Sequence, residues 1–347
     1  MKQICCAIVS ILFFFLMLCF PKETLSGAND GLLLWFQIVL PTLLPFFIIT
    51  NLLIHTNSIT YISRVCSPLL QRLFSVSANG SFAVLVGFLS GYPVGAKVTA
   101  DLVKTERISL SEAKYLLSFC NNTSPAFIMS YIVVQNLKDQ SLLIPTMLIL
   151  YTSPMLCSFL FRKLYHINRD TILSVDAKNS KPCFSFEIFD SSIMNAFENI
   201  TKVGGYIILF SILFSFGRLL PVTHLLPFLE ITNGIPHILS MITDFELSYI
   251  LVLFLTSFGG VCAIAQTSAM LTETKLSIVS YTIEKLATAM VTSLLALLYV
   301  TIIPRSGLLQ IQLPFHELTC QELLILRDLH ERCRSIHEEN LLNHHTL

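Results

Sequence analysis

Charged residues are scarce in this chain, and their scarcity excludes a soluble protein. Asp, Glu, Lys and Arg make up 13% of the 347 residues, about half the roughly 25% of soluble domains. Hydrophobic residues make up 54%, and the mean hydropathy is +0.71. Basic and acidic residues are equal in number, so the formal net charge of zero gives no reason to expect a nucleic-acid partner. The composition predicts an integral membrane protein.

The chain also lacks cysteine and histidine patterns that would indicate an enzyme or a metal cofactor. Its ten cysteines are scattered, mostly in apolar runs, where cysteine behaves as a small hydrophobic residue. Gly87–Gly91 resembles the turn around a serine nucleophile, but all nine histidines lie outside the apolar runs or at their ends. His330, Cys333 and His337 share a helix face without a fourth ligand, which favours a solvated face over a metal site. We therefore expect neither catalysis nor a bound cofactor.

Eight apolar segments are each close to the roughly 20 residues with which a helix crosses a bilayer. The first follows Met1 and Lys2 and lacks a small-residue cleavage site, so we expect a retained span rather than a signal peptide. The predicted fold class is an all-α polytopic membrane protein. The segments are 4–20, 31–54, 80–103, 115–135, 141–161, 203–220, 247–271 and 278–303.

The basic residues of the loops predict which loops are cytoplasmic. Loops 55–79 and 162–190 contain Lys or Arg and are predicted to be inside, whereas 221–246 contains neither and is predicted to be outside. The segment after 303 is predicted to be inside. These assignments agree if 80–103 and 247–271 each dip into the membrane and return. The result is an inverted repeat of two helix–re-entrant hairpin–helix units, one of which rocks against the other.

The predicted organisation has five parts. The last of them, the tail, has leucines at helical spacing among charged residues. This pattern predicts a cytoplasmic amphipathic helix that lies on the membrane, on the bundle or on a protein partner. The parts are an N-terminal span (1–26), a first repeat with a connecting span (27–161), a basic cytoplasmic linker (162–190), a second repeat (191–305) and the tail (306–347).

Two polar, glycine-bearing strings interrupt apolar segments, one in each half of the chain. They are aligned when Gly91 is placed on Gly260, which places Lys97 on Gln266. Unwound backbone at membrane depth is tolerated where it is buried in protein or lines a cavity, and matching interruptions in two halves indicate a transporter's binding site. The candidate substrate-binding residues are Ser90, Gly91, Tyr92, Gly95 and Lys97 in the first string, and Gly260, Gln266, Thr267 and Ser268 in the second.

A third interruption, Asn121-Asn122-Thr123-Ser124, precedes Pro125 within an apolar segment. Its amide and hydroxyl groups predict polar substrate contacts or a coupling-ion site; the alternative is a capped helix end in a loop. The sequence favours the site, because apolar residues lie on both sides of the interruption.

Several charged residues near these strings have two interpretations each. Lys97 either contacts the substrate or pairs with Asp101, one turn further on. A stripe on one helix face is either a relay or an interfacial turn with an ion pair, and the roles of Glu284 and Lys285 cannot be separated. The stripe consists of Asn195, Glu198, Asn199 and Lys202.

The strings GFLSGYPVGAK (87–97), FCNNTSPAFI (119–128) and GGVCAIAQTS (259–268), in this order and spacing, resemble the YlbJ (SpoVV) family of sporulation integral membrane proteins. That family carries the nucleoside-recognition Gate domain and is similar to concentrative nucleoside transporters; the resemblance covers roughly residues 27–303. It implies transport of dipicolinic acid across the outer forespore membrane of an endospore-forming bacterium. The residues alone indicate a small polar or anionic solute, and leave open a nucleoside carrier or a non-transporting scaffold.

Overall fold

The computed structural model describes residues 2–56, 58–167, 185–219 and 223–302, and within these ranges the regular structure is helical throughout. The predicted tail (306–347) and most of the basic linker (162–190) lie outside the described residues. Both remain predictions.

Fourteen α-helices are described, together with two π-helical segments, Trp35–Val39 and Ile128–Leu137, and two 3-10 turns, Gln140–Leu142 and Thr223–Phe228. The α-helices are α1 (Lys2–Cys19), α2 (Pro21–Leu34), α3 (Leu40–His55), α4 (Ile59–Phe74), α5 (Ala78–Leu89), α6 (Val94–Lys104), α7 (Leu110–Phe119), α8 (Pro125–Phe127), α9 (Leu143–Leu164), α10 (Phe186–Gly217), α11 (Ile231–Met241), α12 (Phe245–Phe258), α13 (Gly260–Met270) and α14 (Ile278–Ile302).

Five helical stretches of the described chain are long and apolar enough to cross a membrane. This confirms the predicted class, an all-α polytopic membrane protein. The end of α4 and the whole of α5 would form a sixth such stretch if counted together, but the two helices are bent by 89° relative to each other. The five stretches are Pro21–His55, Gln140–Leu164, Phe186–Gly217, Phe245–Met270 and Ile278–Ile302.

Helices α5 and α6 form an antiparallel hairpin whose tip lies at Ser90–Pro93. Asn79, at the start of α5, donates a hydrogen bond of 3.2 Å to the carbonyl of Arg107, just beyond the end of α6. The twelve residues of α5 extend about 18 Å, less than the roughly 30 Å hydrocarbon core. Both ends of the hairpin therefore lie at one end of the bundle, called here the Lys104 end.

The second glycine-bearing string follows a different path from the predicted one. Tyr249 and Tyr299 have ring centroids 6.0 Å apart, Ser257 accepts a 2.9 Å hydrogen bond from Thr292, and Thr267 and Tyr281 share a hydrogen-bonding partner. Helices α12 and α13 thus run in succession antiparallel to α14.

These contacts correct the prediction that 247–271 dips into the membrane and returns. Gly259 and Gly260, at φ of +84° and +75°, interrupt the helix without reversing it. Glu273, shortly before α14, pairs with Lys104 at 3.1 Å, whereas the C-terminal end of α14 belongs to a hydrophobic cluster with Leu142. Helix α14 therefore runs from the Lys104 end to the opposite end, which we call the Leu142 end. The prediction that 278–303 returns to the same side as loop 55–79 is corrected as well, because His55 lies with Lys104 at the Lys104 end.

The segment that does reverse in the second half is Thr223–Met241. Its turn reaches the glycine break, where the Leu229 carbonyl accepts a 2.9 Å hydrogen bond from the amide of Cys262. From there α11 packs back along α12, with Gly234 against Leu255.

Helices α2 and α10 pack antiparallel through small residues. A Cβ atom added to Gly27 would lie 2.7 Å from the Cα of Ile212 and from the carbonyl oxygen of Ser211, and one added to Gly31 would lie 2.7 Å from the Cα of Ile208. Small residues of this kind let membrane helices approach closely. Trp35, the single tryptophan, continues the contact by donating a 3.0 Å hydrogen bond to the Ile200 carbonyl.

Candidate functional site

A central cavity lies where the interrupted helices meet, and its volume is about 60 Å³. The hairpin tip, the unwound segment 120–124 and the glycine break at 259–260 all contribute to its lining. Five predicted site residues line it: Gly91, Tyr92, Thr123, Ser124 and Gln266. The structure thus brings these five residues together around one cavity, and their role in substrate binding stays a prediction.

The hairpin tip is held against both breaks. Gly91 has φ of +91°, and a Cβ atom there would lie 3.0 Å from the Cβ of Ser124. Tyr92 lies beside Gly259. The hydroxyl of Ser90 is buried and has no hydrogen-bond partner among the described residues. The tip thus brings an unsatisfied donor close to the cavity.

Asn121 joins three parts of the site. Its side-chain oxygen accepts a 3.2 Å hydrogen bond from the amide of Ala96 in α6. Its side-chain nitrogen donates to Thr267 at 3.0 Å and to Tyr281 at 2.8 Å. Both Asn121 and Thr267 are buried, so the predicted residues form a structural network directly beside the cavity.

Asn122 connects the unwound segment to a buried lysine. Its side-chain nitrogen donates to the Phe119 carbonyl at 2.7 Å, and its oxygen accepts from the Nζ of Lys285 at 3.3 Å. The neighbouring Glu284 accepts a hydrogen bond from Tyr165 instead. The structure thereby separates the roles of these two charged residues.

Thr123 and Ser124 complete the break. The Thr123 hydroxyl donates to the Thr256 carbonyl at 3.0 Å, and its own carbonyl accepts from Tyr151 at 3.3 Å. Ser124 caps the next helix by accepting from the amide of Phe127 at 3.2 Å. The chain here is a break within a buried helix rather than a surface loop, since all four residues 121–124 are buried.

Glu230 also lines the cavity, and the sequence did not identify it. Only 2% exposed, its carboxylate accepts hydrogen bonds from the amides of Thr232 and Asn233 at 2.9 and 2.8 Å, and from both of their side chains. It caps α11 at the turn that meets the glycine break. The lack of Lys and Arg in 221–246 indicated an external loop and hid this residue.

The remaining residues of the second string are divided. The side chain of Gln266 donates to the Sγ of Cys262 at 3.2 Å and reaches the cavity. Gly260 lies against the Phe228 carbonyl, where it allows the close approach of the turn before α11. Ser268 is exposed, so the structure does not bring it to the site.

Lys97 and Gly95 do not line the central cavity. Gly95 packs against the Cys120 carbonyl. Lys97 pairs with both carboxylate oxygens of Asp101 at 2.6 Å, in favour of the ion-pair interpretation. This pair lines a second cavity at the Lys104 end together with the stripe on α10, where Glu198 and Lys202 form another 2.6 Å pair.

Comparison with known proteins agrees with the motif resemblance. Residues 36–138 match the Gate family, described as nucleoside recognition. The chain is 29% identical over 308 residues to the sporulation integral membrane protein YlbJ of Bacillus subtilis (strain 168), which covers 77% of this chain and 75% of that protein. No solved structure matches the chain. The Gate match spans the first hairpin and the unwound segment. It therefore includes the cavity-lining residues from the first half of the chain, except Leu34.

Proposed function

We propose that this chain, which carries a Gate segment and resembles a sporulation integral membrane protein, is a carrier. It would move a small polar solute across a membrane during sporulation. The central cavity supports this proposal most directly. It lies among three helix interruptions, where a transporter's site is expected, and its polar groups come from both halves of the chain.

We propose that the two halves form an inverted repeat with a different pairing from the one drawn from the sequence. In the first half, hairpin α5–α6 starts from the Lys104 end and is followed by a helix interrupted at 120–124. In the second half, the turn-and-helix segment Thr223–Met241 starts from the Leu142 end and is followed by a helix interrupted at Gly259–Gly260. The hairpin tip at Gly91 then corresponds to the turn at Glu230. A membrane with its two faces at these ends makes both hairpins re-entrant.

The first substrate class we propose is a small dicarboxylate, with dipicolinate as the candidate and the outer forespore membrane as the location. Helices α11 and α13 and the helix that starts at Pro125 all begin at the cavity. The N-terminus of a helix carries partial positive charge, which favours an anion. The hydroxyls of Ser90, which has no hydrogen-bond partner among the described residues, and of Ser124 are suitable donors to carboxylate oxygens.

A nucleoside is the second candidate, and Glu230 favours it. A buried carboxylate that lines the cavity accepts hydrogen bonds from the hydroxyl and amino groups of a neutral solute. The same carboxylate repels a dianion and already offsets the positive end of α11. The charge of this one side chain therefore separates the two substrate classes.

Uptake into liposomes that contain the purified protein tests the proposal, with labelled dipicolinate and uridine as solutes. We expect saturable uptake that falls in Gln266→Ala and Ser124→Ala, while Lys202→Gln, at the exposed ion pair, retains it. If the protein carries a dianion, Glu230→Gln should raise its affinity for dipicolinate. If it carries a nucleoside, the same substitution should lower its affinity for uridine. Folded protein that takes up neither solute contradicts the carrier and favours a scaffold, for which loss of function on deletion of 306–347 is the next measurement.

A further inference from the structure

Lys285 is a charged side chain buried in the middle of the helical bundle. It is 3% exposed, and its nearest polar partner is the Asn122 side-chain oxygen at 3.3 Å. Among the described residues, no carboxylate lies within ion-pair distance of Nζ. An ionisable residue at this depth in a membrane protein is costly and marks function.

The surroundings of Lys285 do not supply a countercharge. The side chain of the neighbouring Glu284 extends from another side of α14, where it accepts a hydrogen bond from Tyr165. The other ionisable groups that face the amine are the thiols of Cys120, at the start of the unwound segment, and of Cys157 on α9. The side-chain oxygen of Asn122 is the acceptor that the described residues offer to the ammonium group.

Several of the oxygens that the sequence assigned to a coupling ion already accept hydrogen bonds from protein donors. The Asn121 side-chain oxygen accepts from Ala96, the Thr123 carbonyl from Tyr151, and the Ser124 carbonyl from Ile128 at 3.0 Å. The amide orientation of Asn122 is fixed by its bond to the Phe119 carbonyl, which turns its oxygen towards Lys285. The protein's own donors and the Lys285 amine thus use the oxygens that a metal ion would need from these four groups.

We propose that the ammonium group of Lys285 is the resident cation of the unwound segment 120–124 and takes the place of a metal coupling ion there. Helix interruptions in transporters commonly coordinate cations through freed oxygens; here the chain provides the cation itself. The part of this inference that concerns transport rests on the proposed function, and implies that solute uptake does not depend on Na⁺. The part that concerns the fold implies that the break loses stability when the charge is removed.

Thermal unfolding of the purified protein tests the resident cation independently of transport. Wild-type protein should have the same melting temperature in sodium, potassium and choline chloride at equal ionic strength. Lys285→Ala should melt several degrees lower in choline chloride and regain part of that loss when ammonium or sodium replaces choline. Lys202→Ala, at an exposed site, is the matched control and should show neither effect.

Several results would overturn the proposal. One is saturable stabilisation of the wild type by sodium; another is a Lys285→Met variant as stable and active as the wild type, because the amine is then not needed as a cation. If Lys285→Ala does not accumulate, Lys285→Arg and Lys285→Met are compared, and equal stability of the two contradicts the role of charge.

The transport arm separates this inference from the proposed function. Uptake that requires a sodium gradient leaves the carrier standing and contradicts the resident cation. Absence of uptake for every solute contradicts the carrier, while the unfolding data still decide the role of Lys285.

Discussion

Replacement of Gly87 by alanine probes the contact that holds the hairpin against the unwound segment. A Cβ atom at this position would lie 1.7 Å from the Cys120 carbonyl oxygen, where ordinary contact begins at 3.4 Å. Helix α5 must therefore move away from α7 by about 1.7 Å. Because the contacted atom belongs to the backbone, no side-chain rotation relieves the overlap.

The expected cost follows from this displacement. Overpacking of a well-packed interior costs about 1–3 kcal/mol, and a backbone contact falls at the upper end of that range. A loss of about 2–3 kcal/mol lowers the melting temperature by roughly 3–4 °C in a chain of this size. The tip residues Gly91 and Tyr92 move with α5, so we expect solute affinity to fall by at least about tenfold, the equivalent of 1.4 kcal/mol.

The assay compares thermal unfolding and solute binding of Gly87→Ala with two other glycine variants. Gly95→Ala meets the same carbonyl at 2.2 Å and should be affected less. Gly205→Ala meets no atom within 4 Å and should be stabilised by about 0.5–1 kcal/mol, since alanine is the better residue within a helix. Wild-type stability and affinity in Gly87→Ala would refute this account of the hairpin contact.

Three further predictions follow from the same contacts. Asn121→Ala removes three buried hydrogen bonds and should cost about 3 kcal/mol, whereas Asn195→Ala should cost under about 1 kcal/mol; similar unfolding curves for both would contradict the network. Lys97→Gln breaks the pair with Asp101 but lies outside the central cavity, so the solute dissociation constant should stay within roughly twofold of the wild type; a large rise in that constant would return Lys97 to the binding site. In a cysteine-free background, Gln140→Cys and Thr272→Cys should react with an impermeant reagent from opposite sides of the membrane; labelling from one side would contradict the path described for α13 and α14.

The sequence was most informative where a polar interruption stands within an apolar run. Asn121 to Ser124 and the string that begins at Ser90 could be located because unwound backbone in a membrane needs a partner or a cavity, and both were found beside the cavity. The hairpin tip and the unwound segment thus followed from local physical chemistry.

The path of the second half could not be derived in the same way. Two glycines interrupt a helix whether the chain continues or reverses, and the contacts of α14 decide between these outcomes. Glu230 was missed because charge bias assigned its segment to an external loop, although the turn around it packs into the bundle. A lysine at membrane depth is typical of a binding site, but the charge of Lys97 is already paired with Asp101, one turn away.

The close packing of α2 against α10 has a mechanical consequence. At Gly27 and Gly31 the two helices touch backbone to backbone, so sliding of one along the other would drive main-chain atoms into each other. The Trp35 hydrogen bond to Ile200 stabilises the same helix contact further along. Pro21–His55 belongs to the first half of the chain and Phe186–Gly217 to the second, so this contact holds the two halves in a fixed relative position. If the protein is the carrier proposed above, alternating access requires the hairpins and interrupted helices to move within each half, relative to this shared helix pair.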